Sequence, residues 1–340
     1  MPPALPVDVL IVSLGSTQGL RIADEQLAGA LTRAGASVEV ARAAPPKPTR
    51  TLMLTDLGWA RAARRAARQA IARHEPRAIV YSSTTAALLW PRRGAIRFDA
   101  PSVGNRPGHH GLWQRPLERR RLGEAPLLLP WSEGALAELP AGSWRGDRAL
   151  VLPVAVESSG PAGRERDIAA ITYAANPLKK GLDRVLDAWR AVSADAGGGQ
   201  GELVVAGVGE DELMKAGLAA GGAGVRVVGP LPHEEYRALL RRARTFVCAP
   251  RREDYGIAQL EALADGCQLV TTPAPGPYAA LPIARALDER LVGEDLASSL
   301  RTGLTEPLDG YAEGARAALV PFSQGSVDAL AAELLNRLLA

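Results

Sequence analysis

The stretch "TFVCAPRREDYGIAQLEALADGCQLVTTP", residues 245–273, carries the pattern on which the reading of this chain turns. An apolar run over 245–250 leads into a charged loop, then into "IAQLEALAD", then into a second apolar run over 267–273. Short apolar runs on either side of a helical stretch read as strand, helix, strand. Two glutamates stand eight residues apart in this unit. Glu253 lies in the loop at the carboxyl end of the first strand, and Glu261 lies inside the helix.

The same grammar extends in both directions. Upstream, "VDVLIVSL", "SVEVARA" and "RAIVYSS" read as strands, and "RIADEQLAGALTRAG" and "LGWARAARRAARQAIARHEP" as helices. Closer to the opening stretch, "DIAAITYAA", "GELVVAGV" and "GVRVVGPL" are strands, alternating with helices at "GLDRVLDAWRAVSAD", "DELMKAGLAAG" and "HEEYRALLRRA". Strands that alternate with helices form parallel, doubly wound sheets, so the chain is of the α/β class. A segment rich in Pro, Gly and Ser, over 154–163, marks a domain boundary. The expected organisation is a first domain over 1–155, a second over 164–320, and a closing amphipathic helix over 321–340 that crosses back to the first. Two such domains face a cleft, and ligands of these sheets sit at the carboxyl ends of the strands.

At 340 residues, 47% hydrophobic and 23% charged, the chain has the balance of a globular protein rather than a disordered one. No apolar run reaches the roughly 18 residues of a membrane span. The N-terminal apolar run lacks a basic flank and reads as a strand, not a signal peptide. Cys248 and Cys267 sit in apolar settings and fit buried thiols in a reducing cytoplasm. Neither they nor the four histidines show metal-ligand spacing. The net charge of +3 conceals an asymmetry: residues 1–153 hold 21 Lys and Arg against 12 Asp and Glu, the remainder 19 against 25. A basic half suits an anionic ligand or surface. The arginines of "WARAARRAARQAIARH" (Arg61, Arg64, Arg65, Arg68) recur at three and four and so share a helix face. That face is either solvated or rests on anionic lipid or a polyanionic acceptor.

The chemistry concentrates in the second half. Gly256 lets the backbone approach a ligand, and the amides of Tyr255, Gly256 and Ile257 open a helix, which is an anion-binding arrangement. Glu261, one turn in, would repel a phosphate, but a carboxylate accepts hydrogen bonds from paired hydroxyls. The two glutamates therefore read as hydroxyl grips on either side of a phosphate, with a solvated loop charge and a surface helix charge as the plainer alternative. Lys179 and Lys180, half of the chain's four lysines, precede Gly181 at the start of a helix. Cations are unfavourable there unless an anion is present. Gly207 and Gly209 in "VVAGVGEDEL", and Gly229 and Leu231 in "VVGPLPHEEY", mark the ends of two further strands.

In order along the chain, this lysine before glycine, the G-x-G after the next strand, the Gly-x-Leu-x-x-Glu-Glu stretch and the E-x7-E pair resemble the retaining nucleotide-sugar glycosyltransferases of family 4, which have the GT-B fold of two Rossmann-like domains. The resemblance spans residues 168–273, with "LPVAVE" as a linker entry. It implies Lys180 on the donor diphosphate, Glu253 on donor-sugar hydroxyls and Glu261 on the ribose, with Asn176 beside the lysine. The amides around Tyr255, Gly256 and Ile257 would hold phosphate or sugar, and backbone near Leu231 would meet the base. The loop from Gly15 to Gly19, with Gly15, Ser16 and Thr17 as its site residues, would close over the diphosphate or acceptor. It implies no metal and no cofactor and a nucleotide sugar as partner; an anionic or lipid-linked acceptor is what the basic first half suits, with the acceptor itself left open. No nucleic-acid partner is expected, and the location implied is the cytoplasm or the inner face of the membrane.

Three departures stand out. Ala175 occupies the position of an arginine five residues before the lysine. Phe98-Asp99 stands where a histidine precedes an aspartate, with Arg106, His109 and His110 some ten residues on as substitutes and Asp99 as the first-domain carboxylate to test. The glycine-rich loop after the last strand is replaced by "PAPGPYAAL". A catalytically inactive binding relative is therefore a second reading. A nicotinamide dehydrogenase is a third, weakened because the first strand is not followed by G-x-G-x-x-G.

Overall fold

The computed structural model describes residues 6–47, 49–106, 108–142, 144, 146–161, 166–195, 201–218 and 224–340. The expected linker ends at Gly163 and one expected helix at Gly221, and both end points lie outside these residues. The chain divides into two compact units, 1–155 together with 322–340, and 156–321.

The first unit runs β1 (Val9–Ser13), α1 (Gln18–Arg33), β2 (Val38–Arg42), α2 (Leu52–His74), β3 (Ala78–Tyr81), α3 (Thr84–Ala87), β4 (Ala95–Phe98), α4 (Ser102–Asn105), α5 (Gln114–Glu124), β5 (Leu128–Pro130) and α6 (Glu133–Ala137). Its five strands pair in parallel in the order β2-β1-β3-β4-β5. Every residue of β1 is buried because its two faces feed two cores. Leu10 and Val12 join one with Ala63 and Ala67 of α2, while Val9 and Ile11 join the other with Leu27 and Leu31 of α1. Such two-sided cover is why the strand sequence is continuously apolar rather than alternating. Both long helices begin earlier than the apolar stripe suggests. Thr17 caps α1 by accepting from the Leu20 amide at 3.2 Å, and Thr51 caps α2 through the Leu54 amide at 3.3 Å. The expected loop over 15–19 therefore shrinks, since Gln18 and Gly19 are already helical.

The second unit runs β6 (Ile168–Tyr173), α7 (Leu182–Asp195), β7 (Leu203–Ala206), α8 (Glu210–Lys215), β8 (Val225–Gly229), α9 (His233–Arg242), β9 (Ala243–Cys248), α10 (Ile257–Ala264), β10 (Gln268–Thr271), α11 (Ala280–Leu287), α12 (Leu296–Thr305) and α13 (Tyr311–Ala318). Its parallel order is β10-β9-β6-β7-β8, which places the carboxyl ends of β10, β9 and β6 side by side. α14 (Gln324–Leu339) belongs to the first unit, where Val327, Ala331 and Leu334 enter the α1 core. Arg33 fixes it through paired bonds of 2.8 and 2.7 Å to Asp328. Cys248 and Cys267 are buried, unpaired thiols, and burial pushes Cys267 up to about 12. Among the described residues no helix is long and apolar enough to cross a membrane.

Candidate functional site

In the second unit the loops after β6, β9 and β10 are laced together. The Arg251 amide donates to Lys179 O at 3.0 Å, and the Glu253 amide donates to Pro275 O at 3.1 Å. The Arg251 guanidinium holds Asp183 at 2.9 and 2.6 Å. The loop after β6 closes on Asn176, whose side chain accepts from the Lys179 amide at 3.1 Å and whose carbonyl accepts from the Lys180 amide at 2.9 Å. Gly181 ends that turn at φ +65°, and a Cβ there would sit 1.8 Å from Ala249 O. Only glycine allows the turn to press so closely on the end of β9. The close approach brings both lysines to carboxylates of the neighbouring loop.

Lys180 Nζ lies 2.6 Å from Glu253 Oε2, and Gln259 donates to the same oxygen at 3.0 Å. Lys179 Nζ lies 2.7 Å from Asp254 Oδ2, and Arg252 Nε 2.9 Å from Asp254 Oδ1. Burial pushes Asp254 up, but Lys179 and Arg252 outweigh it and hold the carboxyl below its ordinary value. Glu253 is 4% exposed and Glu261 6%, which removes the reading of both as solvated charges. The two lysines at a helix start are explained by anions, and those anions are the chain's own carboxylates.

Gly256 opens α10 at φ +91°, with no side-chain cap and no acid in the first turn. Tyr255 is buried, and its carbonyl accepts from the Ala279 amide at 3.0 Å, tying the helix start to the loop after β10. Ile257 begins the helix, so the leading amides of α10 carry no internal partner. One turn on, Glu261 Oε1 meets His233 Nε2 at 2.6 Å, with Arg237 Nη1 3.7 Å away. Arg237 itself is committed to Asp265 at 2.7 Å and to Glu157 O at 2.7 Å. The hydrogen bond to Glu261 raises His233 above its ordinary value despite partial burial.

Gly207 directly follows β7. At φ +85°, its absent Cβ clears the ring of Tyr173, which would otherwise meet it at 2.7 Å. Tyr173 in turn stacks obliquely on Tyr236 with ring centroids 5.1 Å apart. Gly209 caps α8, its amide donating to Glu212 at 3.3 Å, and has open space at its Cβ position. Leu231 is half-buried between β8 and α9, two residues before His233.

In the first unit, Gly15 takes φ +55° and its carbonyl accepts from Arg21 at 2.9 Å. Ser16 is exposed and Thr17 caps α1. Behind this loop Asp24, buried beside Ser13 and 3.9 Å from Arg97, is raised by desolvation beyond what those partners offset. Arg106, one of the expected substitutes for the histidine absent before Asp99, grips the buried Asp56 at 2.7 and 3.0 Å. Asp99 Oδ1 accepts from the Ala100 amide at 2.8 Å, a strand-end cap. His109 is exposed on a 3-10 turn, its ring 4.2 Å from that of His110. Pro107 between Arg106 and this turn lies outside the described residues.

Sequence reasoning passed over His233, Arg237, Asp265 and Gln259. A signal was present: His233 and Arg237 on one helix, and Glu261 and Asp265 on another, share the four-residue spacing that lets two helices face each other with opposite charge. Among the described residues no group of three or more His, Cys, Asp or Glu gathers as a metal site would require.

Residues 167–306 match the family model described as glycosyl transferases group 1. No curated protein matches the chain in sequence. Solved structures of similar fold include WaaG, a glycosyltransferase involved in lipopolysaccharide biosynthesis, at TM-score 0.71 and 17% identity over 96% of this chain and 99% of that one. Sucrose-phosphate synthase from Thermosynechococcus elongatus superposes at 0.66 and 16% over 98% and 99%. The Anabaena protein HepE, in complex with UDP and glucose, superposes at 0.69 and 13% over 97% and 99%. Over residues 167–306 the chain is similar to glycosyl transferases group 1, and its two five-stranded parallel sheets give it the GT-B fold of two Rossmann-like units.

Proposed function

We propose that this chain transfers a hexosyl group from a nucleotide-diphosphate sugar to an acceptor hydroxyl, with retention of configuration. The observation that carries the donor is the meeting of Lys180 and Glu253 at the adjoining ends of β6 and β9, with Glu261 one turn into the uncapped helix that follows β9. HepE in complex with UDP-glucose, a protein of the same fold, supports that choice of donor.

The chemical task is to stabilise the leaving diphosphate. The Lys180 ammonium and the leading amides of α10 supply positive charge at a fixed place, which costs no reorganisation during transfer. Lys180 is held by Glu253 before the donor arrives, so a phosphate oxygen takes over the ammonium and frees Glu253 to accept from sugar hydroxyls. Glu261 accepts from the ribose diol. Retention is read as attack on the same face the diphosphate leaves, with a phosphate oxygen taking the acceptor proton. This chemistry draws on no cofactor and no metal. In the first unit Asp99, His109 and the loop 15–17 are assigned to the acceptor. A second reading, a nucleotide-sugar-binding relative without turnover, is favoured by Ala175 and by Phe98 in place of a histidine before Asp99. Transfer or hydrolysis of radiolabelled sugar from a panel of nucleotide sugars tests the assignment, because the inactive relative binds without releasing sugar.

The acceptor is assigned to the class of anionic or lipid-linked molecules at the inner face of the membrane. Arg61, Arg65 and Arg68 are exposed on α2 and make no side-chain ion pair or hydrogen bond among the described residues. At the start of the same helix Leu52, Met53 and Leu54 are 51, 36 and 47% exposed. Exposed leucines beside unpaired arginines suit the boundary between acyl chains and anionic headgroups.

A further inference from the structure

His233 has no part in the reading of the donor site so far, yet it makes the shortest contact to the carboxylate assigned to the ribose. It is the first residue of α9, with its side chain about one third exposed, and Glu261 is buried in α10. The two helices are joined by two rungs one turn apart, His233 to Glu261 at 2.6 Å and Arg237 to Asp265 at 2.7 Å. The rungs are unequal. Arg237 is also bound to Glu157 O, and its side chain is 8% exposed, so it serves structure. His233 opens α9 just beyond the carboxyl end of β8, two residues after Leu231.

We propose that His233 is a positioning residue for recognition of the nucleoside ribose, fixing the Glu261 carboxylate so that it can accept from both hydroxyls of the diol. The inference rests on the donor reading above. A carboxylate chelates a vicinal diol only when its plane and both oxygens are correctly turned. Oε1 is pinned by His233 Nε2 and keeps a further lone pair, while Oε2 is turned by the same constraint. Without the imidazole, the nearest cation to Glu261 is Arg237 at 3.7 Å. A buried carboxylate does not stay unpaired when a guanidinium is one rotation away, because the uncompensated charge is costly. Loss of His233 therefore swings Glu261 onto Arg237 and turns it from the diol, while the rung to Asp265 preserves the fold. Of the other groups near the pair, Tyr173 and Tyr236 are neutral phenols at working pH and cannot replace the imidazole as a charged donor.

The test is calorimetric titration of wild type, His233→Ala and His233→Gln with UDP, ADP and GDP, and with the 2′,3′-dideoxy form of whichever binds tightest. Wild type is expected to prefer the ribonucleotide, and His233→Ala to lose about tenfold in that preference, the equivalent of one hydrogen bond to a charged group. His233→Gln, whose amide still donates toward Glu261, is expected to recover most of it. Equal discrimination by wild type and His233→Ala, with both folded by thermal melt, overturns the inference and leaves the donor reading standing. Failure of wild type to bind any of the three nucleotides overturns the donor reading itself.

Discussion

Lys180 and Glu253 belong to loops that follow neighbouring strands, and they meet as an ion pair of 2.6 Å whose carboxylate is almost wholly buried. Each is assigned a role toward the donor, and in the free protein each satisfies the other. Removing one member of a buried pair costs roughly 3–5 kcal/mol. Gln259 retains a bond to Glu253 and the ammonium is 22% exposed, so the cost here should be smaller. Lys180→Met is expected to lower stability by about 2 kcal/mol in urea unfolding. Lys180→Met with Glu253→Gln should regain part of that loss while donor binding stays weakened at least tenfold. Recovery of binding together with stability would show that Lys180 has only a structural role.

Gly181 is held by a backbone contact rather than by a ligand. Gly181→Ala must clear 1.8 Å between its Cβ and Ala249 O at φ +65°, and is expected to destabilise by at least about 2 kcal/mol. Gly209→Ala, in open space at φ −87°, is expected to cost under about 1 kcal/mol as a weakened helix cap. Denaturant unfolding of the two variants distinguishes the sites, and similar losses would contradict the close approach of the loop after β6 to β9.

The fold was legible in the chain because its strands are buried on both faces and read as apolar runs. Helix caps such as Thr17 and Thr51 lie outside the apolar stripe, so α1 and α2 extend beyond it. β4 and β5, with four and three residues, are too short to show a pattern against their flanks, and α11 to α13 follow the last strand with no alternation to announce them. At the site, Glu253, Glu261 and Lys180 stood out because charge near an apolar strand end is costly without a partner. Their partners did not: His233 and Gln259 are joined to the glutamates by tertiary packing, 28 and six residues away in the chain. Gly207 marked a strand end in the sequence, but its clearance of the Tyr173 ring is set by side-chain packing.

His233 gives the protein a signed dependence on pH. Its folded value is raised above 6.5 by Glu261, so the pair's stabilisation is full below pH 6.5 and is lost as pH rises through the raised value. Relative to His233→Gln, wild type should be more stable at pH 6 than at pH 9. The difference should be under about 1 kcal/mol because the ring is about one third exposed and solvent screens the pair. Thermal melts of both proteins across this range check the sign, and a wild-type advantage that grows with pH would contradict it.

The unpaired arginines of α2 lead to a surface experiment. Sedimentation with vesicles of phosphatidylcholine containing about one third phosphatidylglycerol is expected to pull down wild type at low salt, with weaker binding above about 0.3 M salt as charges are screened. Arg61→Glu with Arg65→Glu should abolish it, and Leu54→Ser should weaken it without changing its salt dependence. Binding unaffected by the charge reversals would remove the bilayer from the assignment of the acceptor side.

The central claim is that the second unit holds a nucleotide-sugar donor with Glu261 on its ribose. Calorimetric titration of UDP-glucose, ADP-glucose and GDP-mannose into wild type and Glu261→Ala tests it most directly. One of the three is expected to bind wild type, with affinity at least tenfold weaker in the variant. Identical binding by both proteins, accompanied by unchanged sugar transfer, would contradict the claim.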